Sequence, residues 1–278
     1  MIPLSMPTNG HRGDEAARST EKLEPVTFLK KAILGMPEGP RERVLRPLLW
    51  ARHVVELGSD HEEADRRRFF SAAFSALRFN GISGDYVEFG SWTARSFRMA
   101  FDASRRLGSH CRMWSFDSFA GLPEPHGEAD EHPHWVKGNM AISLREFETI
   151  VRRHGIPSDA YRVVPGWYDD TLARSVQEER PNDICLAYVD CDLYSSTKTV
   201  LEFLRPRLKH GMIIALDDYF AYTATDISGE RRALNEFLTT DQRFNFVPFL
   251  RYGWASLAFV LESRSLSGAA PALNVDAS

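Results

Sequence analysis

The chain has 278 residues, with 34 lysine and arginine residues against 38 aspartate and glutamate residues, which gives a formal net charge of −4. This length allows one large domain or two small ones. The content of 43% hydrophobic and 26% charged residues is typical of a globular protein and excludes a chain that is disordered throughout. Sequence-independent affinity for nucleic acid comes mainly from neutralised phosphates, so this acidic chain is expected to have no nucleic-acid partner.

The sequence also argues against a membrane partner and a secretory route. The longest apolar stretches, residues 184–189 and 212–216, are far shorter than the roughly 20 residues that cross a bilayer. The amino-terminal residues do not resemble a secretory signal. Three cysteines without metal-type spacing, Cys111, Cys185 and Cys191, suggest a reducing compartment. We therefore expect a cytoplasmic protein.

The two ends of the chain differ from its middle. Residues 1–24 and 265–278 contain few large apolar groups and are predicted to be flexible, because ordering them would bury too little surface. Residues 25–264 are predicted to form a single domain. Helical patterns at 27–34, 41–57 and 62–79 come first, so residues 25–80 are expected to form a helical cover.

Strand-like and helical patterns then alternate. Strands are predicted at 86–89, 113–116, 161–164, 184–189 and 212–216, and helices at 94–107, at 144–151, around Leu201, Leu204 and Leu208, and at 234–238. This alternation predicts a doubly wound, Rossmann-like α/β fold with a parallel sheet between two helical layers. Strand patterns at 244–250 and 254–261 are too close for a crossover and predict an antiparallel hairpin. Five parallel strands followed by a hairpin is the layout of class I methyltransferases.

Carboxylates follow four of the five predicted parallel strands. They are Glu88, Asp117, Asp190, Asp217 and Asp218. Ligands of open α/β sheets bind outside the carboxyl ends of the strands. Carboxylates are costly to bury and are poor strand formers, so a ligand explains this pattern better than packing does. Helix or turn capping would explain Asp192 or Asp217 alone, but it does not explain four strand ends.

Other residues at this edge indicate which ligand to expect. Gly90 allows a tight turn, but the segment after it lacks the glycines of a dinucleotide fingerprint. Asp117 is placed to accept a ribose diol, or else to cap the following turn. Trp167, after Gly166, would cover an adenine face or pack in the core.

Four motifs, in this order along the chain, resemble those of a known family. They are GDYVEFGSW at 84–92, MWSFDSFAGLP at 113–123, GWYDDTL at 166–172 and YVDCDLYSSTKTVLEFLRPRLKHGMIIALDDY at 188–219. Together they resemble the macrocin O-methyltransferase (TylF-like) family of class I enzymes, which depend on S-adenosylmethionine (SAM) and a divalent metal. The resemblance implies methylation of a hydroxyl on a small acceptor, a sugar or polyhydroxylated natural product, with SAM and Mg²⁺ as cofactors.

The resemblance also implies roles for individual residues. The implied cofactor-binding residues are Glu88, Gly90, Ser91, Asp117, Ser118, Gly166, Trp167 and Asp190. Glu88 would meet the methionine ammonium of SAM, and Asp117 with Ser118 would accept the ribose hydroxyls. Asp190, Asp217 and Asp218 would hold Mg²⁺, which prefers oxygen ligands. Asp190 is also the candidate catalytic base, and a separate histidine is the alternative.

Two segments leave questions open. Ala94 and Arg95 stand where the family is expected to have glycine, so Arg95 would either pair with the methionine carboxylate or narrow the room around it. The long loop at 120–141 is predicted to be a lid, a second metal site or a solvated polar loop, and it contains His126, Asp130, Glu131, His132 and His134.

Two other functions compete with methyl transfer. One is a nucleotide-sugar glycosyltransferase, which would use the Asp-Cys-Asp sequence at 190–192 as its metal motif. The other is a non-catalytic partner protein that keeps the cofactor pocket without the metal. A homodimer is the default expectation for an enzyme of this kind.

Overall fold

The structure is a computed structural model, and it describes residues 61–173 and 179–266. The helices predicted at 27–34 and 41–57 and the flexible lead predicted at 1–24 lie outside the described residues, as does the predicted tail beyond residue 266. The single domain predicted over 25–264 therefore stays a prediction.

The described residues contain a seven-stranded sheet and six α-helices. The strands are β1 (Asp85–Phe89), β2 (Met113–Asp117), β3 (Tyr161–Pro165), β4 (Ile184–Val189), β5 (Ile213–Leu216), β6 (Phe244–Tyr252) and β7 (Ser256–Ser263). The helices are α1 (61–79), α2 (Arg95–Arg106), α3 (Leu144–Arg153), α4 (Tyr168–Thr171), α5 (Tyr194–Leu204) and α6 (Gly229–Thr240), with 3₁₀ turns at Glu128–Asp130 and Arg205–Arg207. None of these helices combines the length and apolar character that a membrane span requires.

The sheet has the strand order β3-β2-β1-β4-β5-β7-β6. The first five strands are parallel, and β7 pairs antiparallel with both β5 and β6. The predicted doubly wound α/β fold with a carboxyl-terminal hairpin is therefore confirmed. The strand order reverses at β1, which lies between β2 and β4, and ligands of open α/β sheets bind at such a switch point.

A separate apolar layer covers each face of the sheet. All six residues of β4 are buried, as expected for a strand that is covered on both sides. On one face Ala187 and Val189 pack in a cluster with residues of α5 and α6. On the other face Leu186 and Tyr188 pack with residues of α1, α2 and α3, including Phe69, Phe70 and Phe74 of α1. Burying one such phenylalanine contributes about 2 to 3 kcal/mol, so α1 is part of the core.

Some helix bounds differ from the predictions. A capping box is present at the start of α3, with Ser143 and Glu146 as its two members. Leu208 is buried but lies beyond the end of α5, because the following 3₁₀ turn contains Pro206, which has no N–H to extend an α-helix. Helix α6 begins at Gly229, five residues before the predicted start at 234, because Ser228 caps it.

Gly90 brings the turn after β1 directly against the end of β4. Its φ is +85°, and a Cβ at this position would lie 1.8 Å from the carbonyl oxygen of Asp190. A side chain would therefore collide with backbone that cannot move away easily. This close approach places the loops after β1 and β4 side by side.

Candidate active site at the carboxyl ends of the parallel strands

A cavity of about 1060 Å³ opens where the parallel strands end. It is lined by all but one of the residues predicted from the sequence: Gly90, Ser91, Asp117, Ser118, Gly166, Trp167, Asp190, Asp217 and Asp218. The exception is Glu88, which is fully buried. The structure thus brings the loops after β1, β2, β3, β4 and β5 together around one space.

Asp117 connects the loops after β1 and β2. Its Oδ2 accepts hydrogen bonds from the backbone N–H groups of Ser91 at 2.7 Å and Trp92 at 3.1 Å, and its Oδ1 accepts from Phe119 at 2.7 Å. A carboxylate has about four acceptor positions, so Asp117 retains capacity for a ligand hydroxyl at the cavity wall. The capping role considered from the sequence and a ligand role are therefore compatible.

Ser118 and Trp167 differ in how open they are to the cavity. The Ser118 hydroxyl donates to the carbonyl of Gly121 at 2.8 Å and accepts from the N–H of Ala120 at 3.0 Å, so it stabilises a turn. Trp167 is 40% exposed and is not among the core residues. Gly166 before it has a φ of +129°. The structure therefore leaves the Trp167 ring available to a planar ligand.

Glu88 occupies a different environment from the one predicted. Its Oε2 accepts from the hydroxyl of Tyr86, and its Oε1 accepts from Ser96 at 3.0 Å. Burial raises its pKa to about 8, against the lowering effect of these hydrogen bonds. The two hydroxyls and the surrounding core thus enclose the carboxyl group, and the structure does not place it against the cavity as an ammonium partner.

The turn into α2 shows what replaces the expected glycine. Ala94 has a φ of +55°, in the left-handed region that glycine favours, and for a residue with a Cβ this costs on the order of 1 kcal/mol. Arg95 is half-exposed and lines the cavity, and its Nε atom lies 3.4 Å from Oε1 of Glu63. Its predicted pairing with a ligand carboxylate stays a prediction.

Three carboxylates converge at the ends of β4 and β5. One oxygen from each of Asp190, Asp192 and Asp218 lies within 4.8 Å of the others. Asp192 has a φ of +60°, a left-handed conformation that aspartate tolerates better than most residues and that is often found at functional sites.

The pKa values of the three carboxylates are all raised. Burial is the largest cause in each case. The charges of Asp217 and Asp192 then raise the pKa of Asp190, and those of Asp192 and Glu230 raise that of Asp218. The pKa of Asp192 rises to about 6, with hydrogen bonding from Asp218 and Trp135 opposing the effect of burial. The ionised forms of these carboxylates are therefore unfavourable on their own, and a bound cation would stabilise them.

Asp217 is placed differently from the other two residues of the predicted metal set. Its Oδ2 accepts from Arg66 Nη2 at 2.6 Å, and its Oδ1 accepts from the hydroxyls of Tyr188 and, at 3.0 Å, Ser256. Both oxygens are therefore already paired within the protein. The structure groups Asp192 rather than Asp217 with Asp190 and Asp218.

The loop at 120–141 contributes to the cavity wall and is anchored at several points. Leu122 and Trp135 pack in a small cluster with Leu193, Ala221 and Ala255. His126 lines the cavity, whereas His132 packs against Trp135 with ring centroids 4.2 Å apart and ring planes tilted by 31°. Among the described residues, the acidic cluster is the one group of three potential metal ligands, so the histidines of this loop do not form a second one.

Sequence comparison identifies the family. Residues 62–242 match the profile described as Macrocin-O-methyltransferase (TylF). The chain belongs to this macrocin O-methyltransferase family. The match includes α1 and extends through all five parallel strands to the end of α6, so the resemblance recognised in the four motifs is confirmed.

Curated relatives that match the chain are named as O-methyltransferases. The 8-demethyl-8-(2,3-dimethoxy-alpha-L-rhamnosyl)-tetracenomycin-C 4'-O-methyltransferase of Streptomyces olivaceus is 34% identical over 148 residues, 50% of this chain and 54% of that protein. The mycinamicin III 3''-O-methyltransferase of Micromonospora griseorubida is 31% identical over 160 residues, 52% of this chain and 58% of that protein. The chain thus spans about half the length of the curated relatives it matches.

A solved methyltransferase structure can be aligned with most of the chain. The crystal structure of CalS11, a calicheamicin methyltransferase, matches with a TM-score of 0.59 at 25% identity and covers 91% of this chain and 99% of that chain. The sheet and the cavity at its carboxyl edge therefore belong to a methyltransferase fold.

The acidic cluster fits the divalent ion that the family resemblance implies. Hard cations such as Mg²⁺ are bound by carboxylate oxygens, and this cluster offers three of them within 4.8 Å of one another. The raised pKa values show that these carboxylates are unfavourable as isolated charges. The donor set and its electrostatics both suit a cation.

Sequence reasoning did not predict the contacts that three residues make at the site. Each residue makes a contact at the site with a distant segment: the largest separation is 39 positions for Glu230, 65 for Asp130 and 151 for Arg66. Asp130 and Glu230 are fully buried carboxylates. Their sequence surroundings resemble an ordinary loop and an ordinary helix start, so only the tertiary structure distinguishes them from surface residues.

Proposed function

We propose that this protein is a SAM-dependent O-methyltransferase that methylates a sugar hydroxyl of a natural product with the assistance of Mg²⁺. The observation that carries the proposal is the convergence of Asp190, Asp192 and Asp218 in the same cavity as Asp117 and Trp167. A methyl donor and a cation-bound acceptor would thus share one space. Family membership and the names of the sugar-modifying relatives support the reaction type.

The cofactor would lie along the ends of β1, β2 and β3. When bound, SAM supplies a methyl group on a positively charged sulfur. Asp117 would accept a ribose hydroxyl through the acceptor position that its three backbone hydrogen bonds leave free. The exposed Trp167 ring would cover the adenine. Gly90 and Ser91 line the wall beside Asp117 and would allow close approach of the methionine part.

The acceptor would lie on the acidic side of the cavity. Asp190, Asp192 and Asp218 would hold Mg²⁺. Asp217 was also predicted as a ligand, but its carboxylate is paired with Arg66, so it would join the other three only if Arg66 released it. The ion would supply Lewis acidity that lowers the pKa of an acceptor hydroxyl. Asp190, the base predicted from the sequence, or its neighbour Asp192 would take the hydroxyl proton. Positioning and charge stabilisation would then account for most of the catalysis.

The competing functions have less support. A glycosyltransferase would use Asp190 and Asp192 for a nucleotide sugar, but the hairpin strand β7 pairs with β5 in the class I methyltransferase layout. In a non-catalytic partner protein the three clustered carboxylates would bind no cation, and their mutual repulsion would destabilise the folded state without any compensating function. The expected homodimer, the cytoplasmic location and the absence of a nucleic-acid partner stay predictions.

The proposal is tested by calorimetry and turnover with purified full-length protein. SAM should bind, and Asp117→Ala should weaken its binding strongly, whereas Asp159→Asn, which changes an exposed carboxylate that does not line the cavity, should not. Turnover of a hydroxylated glycoside should stop with EDTA and return with Mg²⁺. Absence of SAM binding would reject the function, and turnover that resists EDTA would reject the metal.

A further inference from the structure

The first turn of helix α6 contacts both acidic loops of the site. The hydroxyl of Ser228 donates to the carbonyl of Tyr219 at 3.1 Å, in the loop after β5. Glu230 then reaches both loops with one side chain: its Oε2 accepts from the N–H of Asp218 at 3.0 Å, and its Oε1 accepts from the N–H of Cys191 at 3.4 Å. Residues 228–230 therefore connect the ends of β4 and β5.

The bond to Cys191 affects two cluster carboxylates at once. Cys191 lies between Asp190 and Asp192 in the sequence, so an anchor on its N–H restrains the peptide units that carry both side chains. The other bond restrains the backbone of Asp218 itself. All three carboxylates of the cluster are thus linked to Glu230 through backbone groups.

Glu230 is a costly residue at this position. It is fully buried, and a buried carboxylate is tolerated only when hydrogen bonds compensate for the loss of water. Here each of its two oxygens accepts from a different loop. Glutamine would offer one acceptor oxygen and would turn an N–H₂ group toward the second backbone donor, so glutamate is the residue type that serves both loops.

Gly229 provides independent evidence that the helix end and the loop are closely fitted. A Cβ at this position would lie 2.7 Å from the backbone nitrogen of Tyr194 and 3.0 Å from the backbone oxygen of Asp192. Both neighbours are main-chain atoms, which cannot rotate away as a flexible side chain does. The absence of a side chain at residue 229 is what allows α6 to meet the loop after β4.

We propose that Glu230 is a positioning residue that fixes the separation of the two acidic loops and thereby sets the affinity of Asp190, Asp192 and Asp218 for one divalent cation. Ser228 and Gly229 hold Glu230 in place for this role. The inference rests on the cation site of the proposed function. Residues that orient metal ligands from behind typically change metal affinity about 10-fold to 100-fold when they are replaced.

The test measures Mn²⁺ binding to the full chain by calorimetry, with SAM binding measured in parallel. Glu230→Gln and Gly229→Ala should each weaken Mn²⁺ binding by about ten-fold or more while SAM affinity stays unchanged. Asp241→Asn is the matched control. Asp241 is a buried carboxylate at the other end of the same helix, where it bonds to Arg243, so its variant should lower thermal stability and leave Mn²⁺ affinity unchanged.

The outcomes separate the two proposals. If the wild-type protein binds Mn²⁺ and both α6 variants bind it equally well, the positioning role is overturned and the cation site stands. If the wild-type protein does not bind Mn²⁺, the cation site is overturned together with the positioning role. If Glu230→Gln fails to fold, Gly229→Ala and Ser228→Ala decide the question by the same measurement.

Discussion

The Nη2 atom of Arg66 lies 2.6 Å from Oδ2 of Asp217, which joins helix α1 to the acidic end of β5. Both side chains are largely buried, with 12% and 10% of their surface exposed. Arg66 Nε also donates to the hydroxyl of Tyr188 at 2.9 Å. The Arg66 guanidinium therefore lies beside the Asp217 carboxylate, and it comes from α1, which precedes the sheet in the sequence.

The first prediction concerns this ion pair. Arg66→Met should lower the free energy of unfolding by about 3 kcal/mol, because removal of one partner leaves a buried charge uncompensated. Arg67→Met is the control, since Arg67 is 57% exposed and lies 3.7 Å from Glu63, and its loss should cost less than about 1 kcal/mol. Urea unfolding followed by tryptophan fluorescence measures both. Equal losses of unfolding free energy in the two variants would show that the Arg66–Asp217 ion pair stabilises the protein no more than an exposed pair does.

The second prediction concerns repulsion within the acidic cluster. Asp192→Asn should raise the melting temperature in EDTA, because it removes one of three carboxylates that crowd within 4.8 Å. The same variant should lose the stabilisation that Mg²⁺ gives the wild-type protein, since binding to the native state alone stabilises it. Thermal unfolding with and without Mg²⁺ gives both values. A variant that is less stable in EDTA and still responds to Mg²⁺ would contradict this interpretation.

The edge of the sheet where the site lies was predictable from sequence, because it depends on local patterns. Apolar strands such as 184–189 end at fixed points, and the carboxyl ends of parallel strands share one edge. Asp117, Asp190 and Asp218 therefore reach the cavity as expected. The hairpin was equally visible, because three residues between two strand patterns permit no crossover.

The organisation within the site was not predictable, because it depends on contacts between distant segments. Arg66 meets Asp217 across 151 positions of sequence, and no local pattern pairs them. Glu88 has the same Glu-x-Gly surroundings whether its side chain enters the cavity or, as here, turns toward Tyr86 and Ser96. Asp192 was weighed as a cap, yet its left-handed backbone places it in the acidic cluster.

The third prediction is a pH dependence that arises from Glu88. Burial raises its pKa from an ordinary value of 4.5 to about 8. Between these values the native state binds a proton that the unfolded chain has lost, so stability falls as pH rises through this window. The contribution is at most about 1.4 kcal/mol per pH unit, and it levels off above pH 8.

Glu88→Gln isolates this contribution. The variant keeps the shape and removes the titration, and the hydroxyls of Tyr86 and Ser96 can rotate to serve an amide. Its unfolding free energy should fall less between pH 5 and 8 than that of the wild-type protein, as measured by urea unfolding at each pH. Glu148→Gln makes the same change at an exposed position and should follow the wild-type profile. Parallel curves for wild type and Glu88→Gln would refute the assignment.

The last prediction concerns Asp130, which joins the loop at 120–141 to the start of α5. Helix α5 begins after Leu193 without a side-chain cap of its own. Asp130 provides one from the loop: its Oδ1 accepts from the N–H of Ser195 at 2.9 Å, and its Oδ2 accepts from the Ser195 hydroxyl at 2.7 Å and from the N–H of His126 at 2.8 Å. A buried carboxylate at a helix N-terminus is also favoured by the helix dipole.

Asp130→Asn should loosen this loop without unfolding the domain. Its amide has one acceptor oxygen where the carboxylate used two, and its N–H₂ group would face the N–H of His126. We expect a stability loss of about 1 to 3 kcal/mol and faster tryptic cleavage after Lys137, which lies in the same loop. Glu131→Gln changes the exposed neighbour and should be cleaved at the wild-type rate. If the two variants are cleaved equally slowly, the loop is held by its apolar contacts through Leu122 and Trp135 rather than by Asp130.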